Sequence, residues 1–221
     1  MKELLSAYEK DTKNLIFCVY AQEMPAVERK LRARFSHFMA WDMLGAVLQK
    51  DFGIRHSKIT RTGLEKPQLV HDSLHMNLSH CDGLAVCAVG IMPVGIDCEP
   101  PRQARENILP RICTPEECAC ILAQEDQNFM FSRIWTLKEA YGKWNGEGIR
   151  AGFQKIGFSL EPHLKLTAPD MPELTFFQLL RGKAYSVSVC IRYADELCVK
   201  KNENWEMITN GNGIVLCESD C

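Results

Sequence analysis

The chain has 221 residues, 46% of them apolar and 24% charged, with a formal net charge of −2. That is an ordinary globular composition with ample length for a buried core. No global field favours nucleic acid or a membrane surface, so any anion site has to be local.

Eleven cysteines are present. An odd count and the lack of a charged-then-apolar leader in Met1–Lys13 suggest free thiols in a reducing cytosol. A structural zinc site is disfavoured, because no Cys-x-x-Cys pair occurs and Cys113, Cys118 and Cys120 are irregularly spaced. No apolar run is long enough to span a bilayer.

In chain order, Asn14–Ala21 is short, apolar and rich in β-branched and aromatic residues, which predicts a buried strand. Pro25 opens a helical pattern to about Lys50, with Leu31, Phe35, Phe38, Met39, Met43, Leu44 and Val47 at helical spacing. Its first half carries Arg29, Lys30, Arg32 and Arg34, either a solvated basic face or an anion-binding edge. Gly53 ends it. A strand is expected over Ile54–Thr62, and then a turn at Gly63. Leu84–Gly90 and Val94–Cys98 are apolar strands, expected to form a hairpin across Met92-Pro93.

Thr114-Pro115-Glu116-Glu117 is a helix start, with Thr114 as N-cap and Glu117 closing a capping box. A second helix is expected from Asp126 to Asn145, stopped by Gly146. Ile156–Leu160, Leu174–Leu180 and Ala184–Arg192 follow as strands, the last two joined at Arg181-Gly182-Lys183. Glu196–Cys221 adds at most an edge strand. The order strand, long helix, strands thus occurs twice, over 1–99 and 100–221.

The chemistry centres on Val94-Gly95-Ile96-Asp97-Cys98-Glu99. In a strand, Asp97 and Glu99 project from the same face. Paired carboxylates there are either two surface acids or a site for a hard cation such as Mg²⁺, which takes oxygen ligands and substrate phosphates. On the second long helix, Glu139 and Lys143 are four apart and share a face. They form either a surface ion pair or a third oxygen ligand beside a phosphate-binding lysine. Ser79 and His80 add a hydroxyl and an imidazole able to bond phosphate oxygens; alone, His80 reads as a turn histidine.

The blocks VGIDCE (94–99), WTLKEAYGK (135–143), NLSH (77–80) and RTGLEKP (61–67) together resemble the signature blocks of the 4′-phosphopantetheinyl transferases, surfactin-synthetase-activating type. They occur in the family's order, from about Arg61 to Gly148. The resemblance implies an α+β fold of two similar halves, each a small antiparallel sheet on a long helix, related by a pseudo-twofold. It implies coenzyme A contacts in residues 1–99, and a metal-binding helix with carrier-protein docking in 100–221.

Carried over by residue, it makes Asp97, Glu99 and Glu139 the Mg²⁺ ligands and Lys143 the lysine on the pyrophosphate. Arg61, Lys66, Ser79 and His80 become coenzyme A contacts, and Glu117 a general base. Glu65 replaces a usual glycine before Lys66-Pro67. Leu31 stands near a usually basic position, which shifts a 3′-phosphate contact to Lys30 or Arg32. The implied reaction moves 4′-phosphopantetheine from coenzyme A to a serine of an apo acyl or peptidyl carrier protein and releases 3′,5′-ADP. A cytoplasmic monomer with no nucleic-acid or membrane partner is expected. Absence of a Walker-type loop argues against another phosphotransferase class.

Overall fold

A computed structural model describes residues 1–25, 29–56, 58–60, 67–70, 73–148, 152–171, 173–193, 195–211 and 213–217. The strands are β1 (Lys2–Glu9), β2 (Leu15–Glu23), β3 (Ile59–Thr60), β4 (Gln68–Leu69), β5 (His75–Cys81), β6 (Leu84–Gly90), β7 (Val94–Glu99), β8 (Gly157–Ser159), β9 (Lys165–Ala168), β10 (Leu174–Arg181), β11 (Tyr185–Arg192), β12 (Leu197–Lys201), β13 (Glu206–Thr209) and β14 (Ile214–Leu216). The helices are α1 (Arg29–Phe52), α2 (Leu109–Ile112), α3 (Pro115–Leu122) and α4 (Gln127–Asn145).

The chain has the expected α+β fold, arranged as four layers: α1, a six-stranded sheet, a four-stranded sheet and α4. The first sheet runs β14-β12-β1-β2-β6-β5 and the second β13-β10-β11-β7. Strand β6 shows why the layers stack. Its side chains are buried on both faces, so its sequence is continuously apolar instead of alternating. Ala85, Cys87 and Val89 pack under Met43, Leu44 and Val47 of α1. Leu84, Val86 and Ala88 meet Ile96, Cys98, Val187 and Val189 of the second sheet. On that sheet's far face, Phe176 and Cys190 pack against Ile134, Leu137 and Ala140 of α4. No helix among the described residues is long and apolar enough to cross a membrane.

Several expectations need correcting. Strands β6 and β7 form no hairpin: β6 pairs with β2 and β5, while β7 pairs with β11 across the second sheet. The change of sheet falls at 91–93, where Gly90 lies against Ile16 and Phe17 with no room for a Cβ and Pro93 has no N–H for a ladder. Sheet membership therefore does not follow the 99/100 division. Strand β7 joins the second sheet, and β12 and β14 join the first.

Strand β1 went unread in the sequence, and the tail 196–221 supplies three strands instead of one at most. Of Ile54–Thr62, only Ile59–Thr60 is strand among the described residues. The expectation of free thiols fails at one pair. Parallel pairing of β12 with β14 brings Cys198 and Cys217 to a Cα separation of 5.6 Å, and they form a disulfide. Eight other described cysteines form no disulfide.

Candidate active site

Alternation along β7 builds the site. Val94, Ile96 and Cys98 face the core between the sheets. Gly95, Asp97 and Glu99 therefore face α4. Gly95 permits the close approach. A Cβ there would lie 2.0 Å from the Ala140 carbonyl oxygen and 2.6 Å from the Trp144 nitrogen. Helix α4 starts at Asp126, whose side chain accepts from Phe129 N–H at 3.0 Å, and stops at Gly146 with φ +81°. Ser132, Trp135, Glu139 and Lys143 are spaced three, four and four apart, so they share the face toward β7.

The third wall comes from the other sheet. Strands β5 and β7 are each an edge of their sheet, and the two edges meet. Asn77 Oδ1 accepts the Ile96 N–H at 3.0 Å. Ser79 Oγ donates to Asp97 Oδ1 at 2.7 Å. Lys143 Nζ closes the junction, donating to Asp97 Oδ1 at 2.7 Å, Ser79 Oγ at 3.0 Å and the Ile96 carbonyl at 3.0 Å. Ser79, His80, Asp97, Glu99, Glu139 and Lys143 line a cavity of about 310 Å³, with Trp135 as a side wall.

Crowded carboxylates in a partly buried site resist ionisation. Burial, then the charge of Asp97, pushes Glu139 up to about 7 against the partial relief of Lys143. Burial and Asp97 also raise Glu99, offset in part by Arg102. For Lys143, burial opposes the charge, but Asp97, with Cys98 and Glu139, outweighs it and holds the ammonium above its usual range. His80 is pushed down by burial, then by His37 and Lys143. Its Nδ1 is 3.2 Å from Ser36 Oγ, and its ring is 5.5 Å from that of His37.

The donor set suits a hard cation: three carboxylates, with Asp97 Oδ2 buried and lacking any hydrogen-bond partner among the described residues. Yet among the described residues no three His, Cys, Asp or Glu side chains are already drawn into a metal cage. Lys143 holds Asp97, and Arg102 Nη1 holds Glu99 Oε1 at 2.5 Å.

The sequence had brought together Asp97, Glu99, Glu139, Lys143, Ser79 and His80, and all six line this cavity. Arg61, Lys66 and Glu65 lie outside the described residues, as do the side chains of Arg29 and Lys30. Arg32 pairs with Asp82 at 3.1 Å. Glu117 stands apart from the cavity. It is the capping-box residue of α3, accepting from Thr114 N–H at 2.7 Å. It also accepts from Phe158 N–H at 2.8 Å and pairs with Lys138 at 2.6 Å. Both of these side chains are fully buried. Burial raises its pKa and Lys138 opposes the rise. With both oxygens engaged away from the cavity, the expected base role has no geometric support. Sequence reasoning missed Arg102, which only the chain's path past Ser132 brings over Glu99.

Residues 93–190 match the family model described as the 4′-phosphopantetheinyl transferase superfamily. This stretch is similar to the 4′-phosphopantetheinyl transferase superfamily. It contains Asp97, Glu99, Glu139 and Lys143; Ser79 and His80 precede it. The surfactin-synthetase-activating type expected from the sequence agrees with the curated relatives. The 4′-phosphopantetheinyl transferase psf-1 of Bacillus pumilus is 34% identical over 125 residues, 54% of each chain. The 4′-phosphopantetheinyl transferase Sfp of Bacillus subtilis is 25% identical over 126 residues, 55% of this chain and 56% of that protein. The matched region thus spans about half the length of these relatives. A holo-(acyl-carrier-protein) synthase structure from Bacillus anthracis overlaps 47% of this chain and 97% of its own, with a TM-score of 0.41 and 18% identity, too loose a likeness to bear on the site.

Proposed function

We propose that this chain transfers 4′-phosphopantetheine from coenzyme A to a serine of an apo carrier protein, releasing 3′,5′-ADP, with Mg²⁺ as cofactor. The observation that carries this reading is the convergence of Asp97, Glu99, Glu139 and Lys143 on one cavity, inside the segment the family model matches. The same reading takes residues 1–99 as the source of the coenzyme A contacts and 100–221 as the source of the metal helix and carrier docking. It takes the enzyme to be cytoplasmic, and to be a monomer because one chain supplies both sheet edges of the site.

Phosphoryl transfer depends on positioning and charge neutralisation more than on covalent help. Lys143 is charged at neutral pH and fixed by three oxygen acceptors, so it presents a rigid positive charge to a diphosphate. His80, its pKa lowered, is neutral at pH 7 and donates or accepts one hydrogen bond at the cavity edge. Asp97, Glu99 and Glu139 would hold the cation, which when bound supplies neutralisation of phosphate charge.

The serine oxygen forms the new bond to phosphorus, the bond to the 3′,5′-ADP oxygen breaks, and the serine proton needs an acceptor. Glu139, as a ligand of the cation, would be ionised and occupied by it, so solvent at the cavity would take that proton. The other candidate, Glu117, has both oxygens engaged by Lys138, Thr114 and Phe158, which disfavours that role.

Intact-protein mass spectrometry of apo carriers incubated with coenzyme A and Mg²⁺ tests the reading. A serine-linked phosphopantetheine on at least one acyl or peptidyl carrier is expected. No modified carrier across fatty-acid, polyketide and peptide-synthetase types would overturn it.

A further inference from the structure

Next to the cavity, a short segment brings a cation against Glu99, one of the three cavity carboxylates. Past β7 the chain runs Pro100-Pro101-Arg102, and Ser132 of α4 pins it there. Ser132 Oγ accepts the Arg102 N–H at 2.7 Å and donates to the Pro100 carbonyl at 2.8 Å. Ser132 is fully buried, so the anchor is fixed. One turn along the same face of α4, Trp135 supports the guanidinium, whose carbon lies 4.2 Å from the ring centroid. From that platform Arg102 Nη1 reaches Glu99 Oε1 at 2.5 Å. The backbone is held and the side chain is 39% exposed, so the guanidinium can change partner without moving the chain.

We propose that Arg102 is a resident counter-ion of Glu99 that exchanges for the divalent cation, and that the released guanidinium then binds a diphosphate oxygen of the incoming ligand. This rests on the metal and coenzyme A reading above. Two observations support the exchange. Arg102 holds one of the two Glu99 oxygens, and its charge there opposes a second cation at that carboxylate. Stacking on Trp135 keeps the guanidinium plane at the cavity mouth after it leaves Glu99, and a planar fork suits phosphate. No bond to carbon or phosphorus changes in this step; only ionic and hydrogen-bond partners are exchanged.

The two halves of the exchange have opposite signs, which a structural role would not produce. Removing the guanidinium frees Glu99 and strengthens cation binding, but deprives the diphosphate of a donor. Arg102→Gln keeps polarity without the charge at a partly exposed position, and Arg102→Lys keeps the charge without the fork.

Titrate the full chain with Mn²⁺ alone, following free Mn²⁺ by electron paramagnetic resonance. Titrate it separately with coenzyme A at saturating Mg²⁺ by calorimetry. Mn²⁺ should bind Arg102→Gln more tightly, by up to roughly fivefold, the range of a partly exposed ion pair. Coenzyme A should bind it roughly tenfold or more weakly, the range of a charge-assisted hydrogen bond. Arg102→Lys should fall between parent and Arg102→Gln for coenzyme A. Equal or weaker Mn²⁺ binding by Arg102→Gln overturns the exchange. Unchanged coenzyme A affinity overturns the phosphate role. If the parent binds neither Mn²⁺ nor Mg²⁺, the metal reading itself fails, and the exchange with it.

Discussion

Lys138 Nζ lies 2.6 Å from Glu117 Oε2, and neither side chain has any solvent exposure. The same ammonium donates to the carbonyls of Ile112, Phe153 and Ile156 at 2.9, 2.9 and 2.6 Å. One buried charge thus ties α2, α3 and the segment before β8 to the outer side of α4, while the neighbouring residue Glu139 points to the cavity. Removing one partner of a buried pair leaves the other charge uncompensated, at a cost of about 3–5 kcal/mol.

Glu117→Ala should therefore lose stability of that order. Glu117→Gln, which can still fill the capping box, should lose less but remain measurably weaker than the parent. Denaturant unfolding gives the stability change. Transfer per folded molecule by Glu117→Gln should stay within a few-fold of the parent. A hundredfold fall in turnover without loss of stability would restore Glu117 as a general base.

Asp97 and Glu139 should part company in apo stability, although either substitution abolishes transfer. Asp97 is held by Lys143 and Ser79, so Asp97→Ala should cost the metal-free protein roughly 1–3 kcal/mol. Glu139 is crowded by carboxylates, so Glu139→Gln should stabilise the metal-free protein at pH 8. Thermal melts in chelator would show both signs. A lower melting temperature for Glu139→Gln would contradict the assigned repulsion.

The raised pKa of Glu139 fixes a pH dependence. The folded state prefers its protonated form, so the stabilisation is complete below the ordinary value of 4.5 and is lost as pH rises through about 7. Glu99 is shifted in the same direction. The metal-free protein should lose stability between about pH 5 and pH 8. Mg²⁺ binding should strengthen with pH and release protons near pH 6–7. Calorimetry in buffers of different ionisation enthalpy counts those protons, and Glu139→Gln should remove most of them.

Gly95→Ala tests the close approach of α4 to β7. The new Cβ would strike main-chain atoms of Ala140 and Trp144, and these cannot move aside as a flexible side chain would. The cost should reach or exceed the upper end of overpacking, about 3 kcal/mol. Cation binding should weaken even where the variant stays folded, because Asp97 and Glu139 are forced apart.

Much of the site was legible because it is local in sequence. Asp97 and Glu99 show their shared face by strand alternation, Glu139 and Lys143 by helix spacing, and α4 is bracketed by Asp126 and Gly146. What was not legible depends on long-range pairing. Nothing in Val94–Glu99 announces that its partner is Tyr185–Arg192, some ninety residues on, so the nearby β6 was taken as its hairpin mate. Lys2–Glu9 lacks a clear alternation, because its middle residues are buried on both faces. Glu117 carried a cap signal in the sequence, but its buried partner Lys138 is 21 residues away and on another helix. Arg102 had no signal at all, since its role is set by Ser132 and Trp135.

The closing of the first sheet by β12 and β14 sets an order of events during synthesis. Glu9 pairs with Leu197 and Leu5 with Lys201, so β1 is flanked on one side by a strand made nearly two hundred residues later. A nascent chain that has reached β11 can build β2, β6, β5 and α1, yet it still displays the bare hydrogen-bonding edge of β1, a template for pairing with other chains. The ribosome must pass Leu197–Lys201 before that edge is covered. Premature termination anywhere before β12 therefore yields an aggregation-prone fragment instead of a folded N-terminal half.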